Sequence, residues 1–477
     1  MDVADYAACD ATGLRRLLAA GAVSADEVRD AALRAVEAVD GQLNAVVGGP
    51  YEAARGGDGT LAGVPFAVKD TLPEAGRRLG FGSRLLDGYV ARRDATLAER
   101  FRLAGLISLV RTATPEFAFN IDTAPVVHGR TRNPWNPERS PGGSSGGAAA
   151  LVASRALPLA HANDGGGSIR VPAAWCGLVG LKPSRGRVPI GPAVGEAVGG
   201  FAHEFAVTRT LRDAALLLDA VNGPAPGDRY YVARPATPYT ERLNDPVPPL
   251  RVAVHAASYF GAQTEPAVRV AVEAAARTLE EQGHHVEEAC PEVSEGSLRE
   301  CVDAVWSVDL ASLARVFGRI MRREPTPEQV ETASWACILR GREISALELD
   351  AASATVNATG RRWGRFLEEF DIFVCPTTPT AAPPSGTPDQ DDGRFDTAEA
   401  WMDEVFTRTP FTPIANLSGQ PSISLPLGQA NDGMPLGVML TAQTLREDLM
   451  VRVAAQLELA LPWAEGRPAI DAAAAAT

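Results

Sequence analysis

Ser168 stands out in this sequence because three glycines precede it, in a segment that spans residues 163–170. Glycines leave successive backbone N–H groups unshielded, and such groups can form a nest that binds an anion. A serine at the end of such a nest could attack a carbonyl group whose oxygen enters the nest. The same pattern, taken alone, is also typical of a tight turn with a capping serine. A second segment rich in glycine and serine, residues 140–147, precedes it in the chain.

Lys69 is informative because lysine is rare in this chain. Lysine and arginine together number 45, and only Lys69 and Lys182 are lysines. Coding bias toward arginine explains most of this imbalance. An arginine keeps its proton in a protein, whereas a buried lysine can become a neutral base. A serine nucleophile needs a base, and the six histidines all lie outside residues 68–70, 140–147 and 163–170, so the pattern favours Lys69.

Two other active-site types fit the glycine- and serine-rich segment less well. Residues 142–146 match the G-x-S-x-G pattern, but a nucleophile elbow requires a strand directly before it, and residues 132–137 have the composition of a loop. A phosphate-binding loop would require a lysine that this segment lacks. Both alternatives therefore receive little support.

The three segments together resemble the amidase signature family of serine hydrolases, and the resemblance covers most of the chain. It rests on residues 63–70, 132–147 and 164–172, and also on residues 180–183, 375–379 and 416–426. The spacing agrees with the family, since 75 residues separate Lys69 from Ser144 and 24 separate Ser144 from Ser168. The resemblance implies a Ser–cis-Ser–Lys triad and a covalent acyl-enzyme.

The resemblance also assigns a role to each residue. It implies that Ser168 is the nucleophile, that Ser144, preceded by a cis peptide bond, is the bridging serine, and that Lys69 is the base. The implied oxyanion hole consists of the backbone N–H groups of Gly165, Gly166, Gly167 and Ser168. A proton would pass from Ser168 through Ser144 to Lys69 and then return to the leaving amine, a variant of the triad logic.

Several further residues are expected to support the site or to be structural. Asp164 and Arg170 match the family pattern and are expected to hold the nucleophile loop, and Ser145 is expected to be a hydrogen-bonding neighbour of Ser144. Lys182 is interpreted as structural, and His128 and His161 as satisfied histidines. Gly165 stands where the family often has threonine, which could open room above the nucleophile. Packing is favoured over pocket lining for four tryptophans, namely Trp306, Trp335, Trp363 and Trp401.

Several local patterns predict individual elements. A first helix is expected to end at Gly21, and Ser24 and Glu27 form a capping box that begins a second helix. Residues 250–289 predict a β-α-β unit, and residues 422–441 predict a hairpin around an Asn-Asp-Gly turn.

The elements around these segments predict an α/β fold. Strand and helix patterns alternate to the end of the chain, which favours one large α/β/α domain with a mixed central sheet covered by helices. We expect this domain to span residues 1–468, with its core signature at about 60–190 and variable, substrate-side segments at about 295–345 and 376–410. The latter segment is expected to be a surface excursion, and the low-complexity tail, residues 469–477, is expected to fray.

Composition excludes several classes of protein. The net charge of −14 argues against nucleic-acid binding through a positive field. The six cysteines show no metal-knuckle or disulfide spacing, and no apolar stretch is long enough to span a bilayer. No secretory signal is visible, so a cytoplasmic protein is expected. No metal, flavin or nucleotide motif is present, and no cofactor is predicted.

The predicted function is hydrolysis of a carboxamide C–N bond in a small linear or cyclic amide. Ester hydrolysis is also compatible with an acyl-enzyme. Two alternatives stay open from the sequence: the A-type catalytic subunit of a tRNA-dependent amidotransferase, and an inactive scaffold member of the family. The expected partner is the small amide substrate, and a homodimer is compatible with the sequence.

Overall fold

The computed structural model describes residues 1–51, 57–258 and 261–475. Within them, 11 strands form one mixed sheet with helices packed on both faces. The strands are β1 (Val46–Gly48), β2 (Pro65–Lys69), β3 (Ile107–Thr112), β4 (Leu159–Asp164), β5 (Val179–Lys182), β6 (His203–Thr208), β7 (Arg251–Val254), β8 (His285–Glu288), β9 (Ile372–Pro376), β10 (Ser422–Gln429) and β11 (Pro435–Ala442).

The α-helices connect and cover these strands. They are α1 (Val3–Ala8), α2 (Ala11–Ala19), α3 (Ala25–Leu43), α4 (Thr96–Leu103), α5 (Gly146–Ala153), α6 (Arg170–Cys176), α7 (Leu211–Val221), α8 (Tyr239–Arg242), α9 (Pro266–Glu281), α10 (Glu295–Met321), α11 (Thr332–Glu343), α12 (Ala346–Glu369), α13 (Ala398–Arg408), α14 (Pro413–Ser418), α15 (Glu447–Ala460) and α16 (Ala472–Ala475). This architecture confirms the predicted single α/β/α arrangement around a mixed sheet.

The strand order across the sheet is β1-β3-β2-β4-β6-β5-β10-β11-β9-β7-β8. Alternate residues of a strand enter different apolar clusters: Ile372 and Val374 of β9 belong to one, and Phe373 and Cys375 to the other. Side chains alternate between the faces of a sheet, so the two clusters are the two cores on either side of it. Helix α6 contributes to both clusters and lies where they meet.

Three adjacent central strands, β2, β4 and β6, bring polar residues together at the end of the sheet where β2 and β4 finish. Strands β2 and β4 run parallel, so their carboxyl ends, at Lys69 and Asp164, lie at the same edge. Strand β6 runs antiparallel to β4 and begins at that edge, where Glu204 pairs with Asn163. Strand pairing therefore places Lys69, Asn163 and Glu204 side by side, although they are distant in the sequence.

Helices α5 and α6 begin directly after the two serine-bearing segments. Helix α5 starts at Gly146, just after Ser144 and Ser145, and every residue in it is buried. The helix consists of glycine and apolar residues on every side, so no face of it favours contact with water. A helix of this kind is packed against other elements all around. Helix α6 starts two residues after Ser168 and is also buried along its length. Both serines are thus attached to rigid, buried elements.

Several local sequence predictions are confirmed. Strands β7 and β8, which α9 connects, run parallel and form the predicted β-α-β unit. Strands β10 and β11 form the predicted antiparallel hairpin. Ser24 and Glu27 form the predicted capping box at the start of α3. The chain before Gly21 forms two helices where the sequence predicted one, because Asp10 caps a new helix by accepting the Gly13 N–H.

Two expectations about surface segments are wrong. Residues 376–410 are not a surface excursion, since Phe395, Trp401 and Phe406 are buried in the apolar cluster that includes α10. The expected fraying of residues 469–477 is not seen at Ile470 or Ala472, which are buried. Asp471 also pairs with Arg155 at 2.5 Å. The last two residues of that tail lie outside the described residues.

Among the described residues, no helix combines the length and the apolar character needed to cross a membrane.

Candidate active site

Lys69 ends β2 and is fully buried, with its amine in contact with three oxygen atoms. Its Nζ lies 2.7 Å from Ser144 Oγ, 3.0 Å from Ser145 Oγ and 2.6 Å from Asn163 Oδ1. The structure therefore brings together two of the three predicted triad residues, and Ser145 as the predicted neighbour. Asn163, to which the sequence analysis assigned no role, is the third contact.

Burial lowers the pKa of Lys69 from 10.5 to about 7, because a charged ammonium is disfavoured away from water. The negative charges of Glu204 and Asp164 act in the opposite sense and raise this pKa. A group with a pKa near 7 is neutral in a substantial fraction of molecules at neutral pH. Lys69 can therefore both accept and return a proton.

The three contacts of Lys69 match the bonding capacity of a neutral amine. A neutral amine has two N–H donors and one lone pair. Asn163 Oδ1 can only accept a hydrogen bond, so one N–H is directed to it. If the second N–H is donated to Ser145, the lone pair is left to accept the hydroxyl proton of Ser144. This arrangement prepares Ser144 to take a proton from another group.

Ser144 is held in a tight loop whose glycines allow close backbone packing. Gly142 has a φ of +85°, and a methyl group at this position would lie 2.6 Å from Pro172 Cα. The Gly143–Ser144 peptide bond is cis, in agreement with what the resemblance implied. Pro172 belongs to the helix that follows Ser168, so this packing joins the two serine-bearing segments.

Asp164 organises the loop that carries Ser168. Its carboxylate accepts the N–H groups of Gly167 at 2.7 Å and Ile169 at 3.2 Å, and it pairs with Arg170 at 2.9 Å. Asn416 Nδ2 donates to it as well, at 2.8 Å. Burial would raise the pKa of Asp164, but the Arg170 guanidinium, with the Asn416 amide, holds that pKa well below its usual value. The structure thus places Asp164 and Arg170, both expected to be supporting residues, in contact with each other beside this loop.

The loop from Gly165 to Ser168 presents backbone donors next to the half-buried Ser168. Of the four N–H groups predicted for an oxyanion hole, that of Gly167 is already donated to Asp164. Within the described part of the chain, the N–H groups of Gly165, Gly166 and Ser168 have no hydrogen-bond acceptor. Three donors are therefore available to an oxyanion.

Trp306 of α10 packs over this loop, which the sequence interpretation did not anticipate. A methyl group on Gly165 would lie 3.0 Å from Trp306 Cη2, so the glycine makes room for the indole ring. Phe119 stacks on Trp306 with its ring centroid 5.0 Å away. Together they form an apolar wall beside the loop that carries Ser168. The only sequence signal was the glycine at position 165.

The other three tryptophans and the two histidines of the sequence analysis lie in different surroundings. Trp363 and Trp401 are buried in the core, as expected, and Trp335 packs under the Arg342 guanidinium. The side chain of His161 is satisfied, since its Nδ1 accepts the Lys69 N–H and its Nε2 bonds to Glu204. The interpretation of His128 as satisfied is wrong, because its buried Nε2 has no partner among the described residues.

Lys182, the second lysine, contacts a carbonyl group. It is buried, and its Nζ donates to the Pro183 carbonyl at 2.9 Å, in line with a structural role. Within the described residues, no group of three His, Cys, Asp or Glu side chains is arranged to hold a metal ion.

Comparisons with known proteins agree on one family. The family model described as Amidase matches residues 27–451. The chain is 37% identical, over 96% of both chains, to a 6-aminohexanoate-cyclic-dimer hydrolase of Paenarthrobacter ureafaciens. A solved structure of 6-aminohexanoate cyclic dimer hydrolase with substrate has a TM-score of 0.92 at 36% identity and covers 97% of this chain and 99% of its own.

A bacterial aryl acylamidase of the amidase signature family, also solved, has a TM-score of 0.86 at 25% identity, with 96% of this chain and 99% of that chain covered. The sequence at residues 161–164, 446–449 and 460–463 already resembles that of a cyclic-dimer hydrolase. The comparison over the whole chain confirms this resemblance.

Proposed function

The chain belongs to the amidase signature family and is a hydrolase of carbon–nitrogen bonds in amides, and from that premise we propose that it acts through a Ser168–Ser144–Lys69 triad. In the proposed first step, Ser168 Oγ attacks the amide carbonyl carbon while its proton passes to Ser144 and the Ser144 proton passes to Lys69. The carbonyl oxygen becomes an oxyanion, which the N–H groups of Gly165, Gly166 and Ser168 would stabilise.

Collapse of the tetrahedral intermediate breaks the C–N bond and leaves the acyl group on Ser168. The proton held by Lys69 returns through Ser144 to the leaving nitrogen, so the amine departs neutral. A water molecule then attacks the ester, using the same residues in the same order, and releases the carboxylic acid. Atoms and charge balance, because the lysine ends each half-reaction as it began.

The observation that carries this proposal is the contact between Lys69 and Ser144. The 2.7 Å separation is within hydrogen-bond reach, the lysine is fully buried, and burial brings its pKa to about 7. A base is most effective when its pKa is near the working pH. The unengaged N–H groups beside Ser168 supply a second, independent element of the mechanism.

We propose a small linear or cyclic amide with an apolar body as the substrate. The relatives at 36–37% identity are named as hydrolases of the 6-aminohexanoate cyclic dimer, and their similarity extends over nearly the whole of both chains. The apolar wall of Trp306 and Phe119 beside the nucleophile loop suits a hydrocarbon segment next to the scissile bond.

The first test is reaction with a fluorophosphonate probe, followed by intact mass measurement and peptide mapping. We expect one adduct, on Ser168, which is absent in S168A and forms roughly 10²-fold or more slowly in K69A and S144A. S154A serves as the matched control, because Ser154 is also buried but bonds to the Leu151 carbonyl at the end of α5. It should react like the unmodified protein.

An adduct on another residue, or a K69A rate equal to the parent rate, would contradict the triad. Folded protein without any adduct would favour the inactive scaffold, or an amidotransferase subunit that needs its partner chains. A panel of linear amides, cyclic amides and esters would then define the substrate class for an enzyme that does react.

A further inference from the structure

We propose that Glu204 is a positioning residue that sets the base strength of Lys69, acting through Asn163 and His161. The proposal rests on the proposed function, because it concerns the base of that reaction. Glu204 lies outside every segment that the sequence analysis associated with chemistry. Its contacts with the Lys69 environment arise entirely from the pairing of β4 with β6.

Glu204 orients the amide group of Asn163. The two residues pair directly across β4 and β6, so their side chains lie on the same face of the sheet. Asn163 Nδ2 donates to Glu204 Oε1 at 3.3 Å and to Thr71 Oγ1 at 3.1 Å. With its NH₂ group directed to these acceptors, Asn163 presents its Oδ1 to Lys69 Nζ, 2.6 Å away.

His161 holds the other carboxylate oxygen of Glu204. His161 Nδ1 accepts the backbone N–H of Lys69 at 3.3 Å, so the ring proton lies on Nε2. That Nε2–H is directed at Glu204 Oε2, 2.7 Å away. Glu204 is therefore fixed by two donors, and both donor side chains also bond to Lys69.

The charges around Lys69 come from several neighbouring elements. Asp164, at the end of β4, is paired with Arg170 of α6. Asp70, directly after β2, is paired with Arg111 of β3 at 2.9 Å. Glu204, on β6, forms no ion pair with an arginine among the described residues. Its charge therefore acts on Lys69 with less compensation than that of Asp164.

Glu204 also lines a small, partly open cavity bordered by residues 183–204 and 228–230. The charged and titratable groups that share this cavity with Glu204 are Arg185, Glu196, His203, Asp228, Arg229 and Tyr230. Of these, Glu196 is paired with Arg229. Arg185 donates to the carbonyl groups of Gly200, Asn416 and Leu417.

The effect on catalysis follows from two opposing influences on Lys69. Complete burial lowers its pKa, and the Glu204 carboxylate raises it, which keeps the amine a stronger base than burial alone would allow. A base whose pKa is too low accepts a proton less readily in the transition state. Glu204 thus keeps the base strength of Lys69 suited to neutral pH.

The test compares E204Q, E204D and E204A in the pH dependence of the fluorophosphonate labelling rate at Ser168. In the parent, the rate should rise with pH through a midpoint near 7 as Lys69 becomes neutral. In E204Q the midpoint should move down by about one pH unit, and the plateau at high pH should fall by about 3- to 10-fold, because the neutral amine is a weaker base.

E204D retains the charge and should keep the midpoint close to that of the parent. In E204A the labelling rate at high pH should fall below that of E204Q, because Asn163 then also loses a hydrogen-bond acceptor. E196Q is the matched control, because Glu196 lines the same cavity and contacts Tyr230 rather than the Lys69 network. E196Q should change neither the midpoint nor the labelling rate at high pH.

A midpoint in E204Q that coincides with the parent's, or an equal shift in E204D, would overturn the proposal. Thermal unfolding of each variant identifies any that fails to fold. If E204Q does not fold, E204A also lacks the carboxylate, and a midpoint in E204A equal to the parent's would overturn the proposal. Failure of the proposed function would look different, because the parent would then not be labelled on Ser168 or K69A would react at the parent rate.

Discussion

Lys69 and Asp164 are both fully buried at the same edge of the sheet, but their neighbours give them different properties. Lys69 faces hydroxyl and amide oxygens, and burial lowers its pKa to about 7. Asp164 would have its pKa raised by burial, but Arg170 counteracts this and keeps the carboxylate charged. Lys69 can therefore exchange a proton at neutral pH, whereas Asp164 stays charged and orders the loop that carries Ser168.

At the same scale, R170M should lower the free energy of unfolding at pH 7 by about 3–5 kcal/mol, because it leaves the Asp164 carboxylate buried without a cation. Urea unfolding measures this loss. Since the folded pKa of Asp164 lies below its ordinary value of 3.8, the contribution of the pair is present above pH about 4 and is lost as the pH falls further.

The matched control for that prediction is R229M. Arg229 also pairs with a glutamate, Glu196, but its side chain is 64% exposed, so removing its charge should cost less than about 1 kcal/mol. Equal decreases in the free energy of unfolding of the two variants would show that the buried pair does not hold the loop that carries Ser168.

Helix α10 matters at the scale of elements because it forms a wall over a loop that lies more than 130 residues earlier in the chain. Val305 and Trp306 both contact glycine-bearing loops, Gly199 and Gly165 respectively. The same helix packs against α11, α12 and α13, so part of the segment 295–345, which was expected to be variable, lies beside the loop that carries Ser168. If the proposed function holds, the placement of this helix would shape the space available to the substrate.

The G165A variant tests that contact. Gly165 does not have a positive φ, so an alanine is free of backbone strain, but its methyl group would lie 3.0 Å from the Trp306 ring. We expect the free energy of unfolding to fall by about 1–3 kcal/mol and KM for a bulky amide to rise. Urea unfolding and steady-state kinetics measure the two effects.

Two comparisons keep this prediction specific. In a W306A background the added methyl group has room. G165A should therefore lower the free energy of unfolding much less in that background, as a double-mutant cycle would show. G296A, in the first turn of α10, introduces the same methyl group where no atom lies within 4 Å. A loss in G296A as large as in G165A would contradict the role of the Trp306 contact.

At the scale of the whole molecule, two buried carboxyl groups connect distant parts of the chain. Glu331, directly before α11, donates its backbone N–H to Glu116 Oε2 at 2.7 Å, across 215 residues of sequence. Glu116 Oε1 also accepts the Ser83 hydroxyl at 2.7 Å. Burial raises the pKa of Glu116 to about 7, and burial together with the Glu116 charge raises that of Glu331 to about 9.

This pair predicts that the protein becomes less stable as the pH rises. Both folded pKa values exceed the ordinary value of 4.5, so the full contribution to stability is present below pH about 4.5 and is lost as the pH rises through about 7 and then about 9. E331Q should remove roughly 2 kcal/mol or more of this loss between pH 5 and 9, measured by urea unfolding.

E399Q provides the comparison, because Glu399 is exposed in the first turn of α13. Its unfolding free energy should follow the parent's pH dependence. If E331Q also follows the parent, the pair is not responsible for the alkaline loss.

The sequence by itself determined the local features of this protein. Short-range chemistry is enough to indicate the lysine at the end of β2, the glycines before Ser168, the capping box at Ser24 and the hairpin of β10 and β11, because each depends on residues a few positions apart. The combined motifs also indicated the family and the residues expected to form the triad, and the structure brings Lys69 and Ser144 within 2.7 Å.

Only the tertiary structure decided which distant residues surround those motifs. Side chains alternate between the faces of a strand, so the contact of Glu204 with Asn163 depends on the register of β4 and β6. The packing of Trp306 over Gly165, the burial of Ile470 and the meeting of Glu116 with Glu331 likewise join segments separated by more than 100 residues. Such contacts leave no local pattern in the sequence, because they are set by the packing of whole elements.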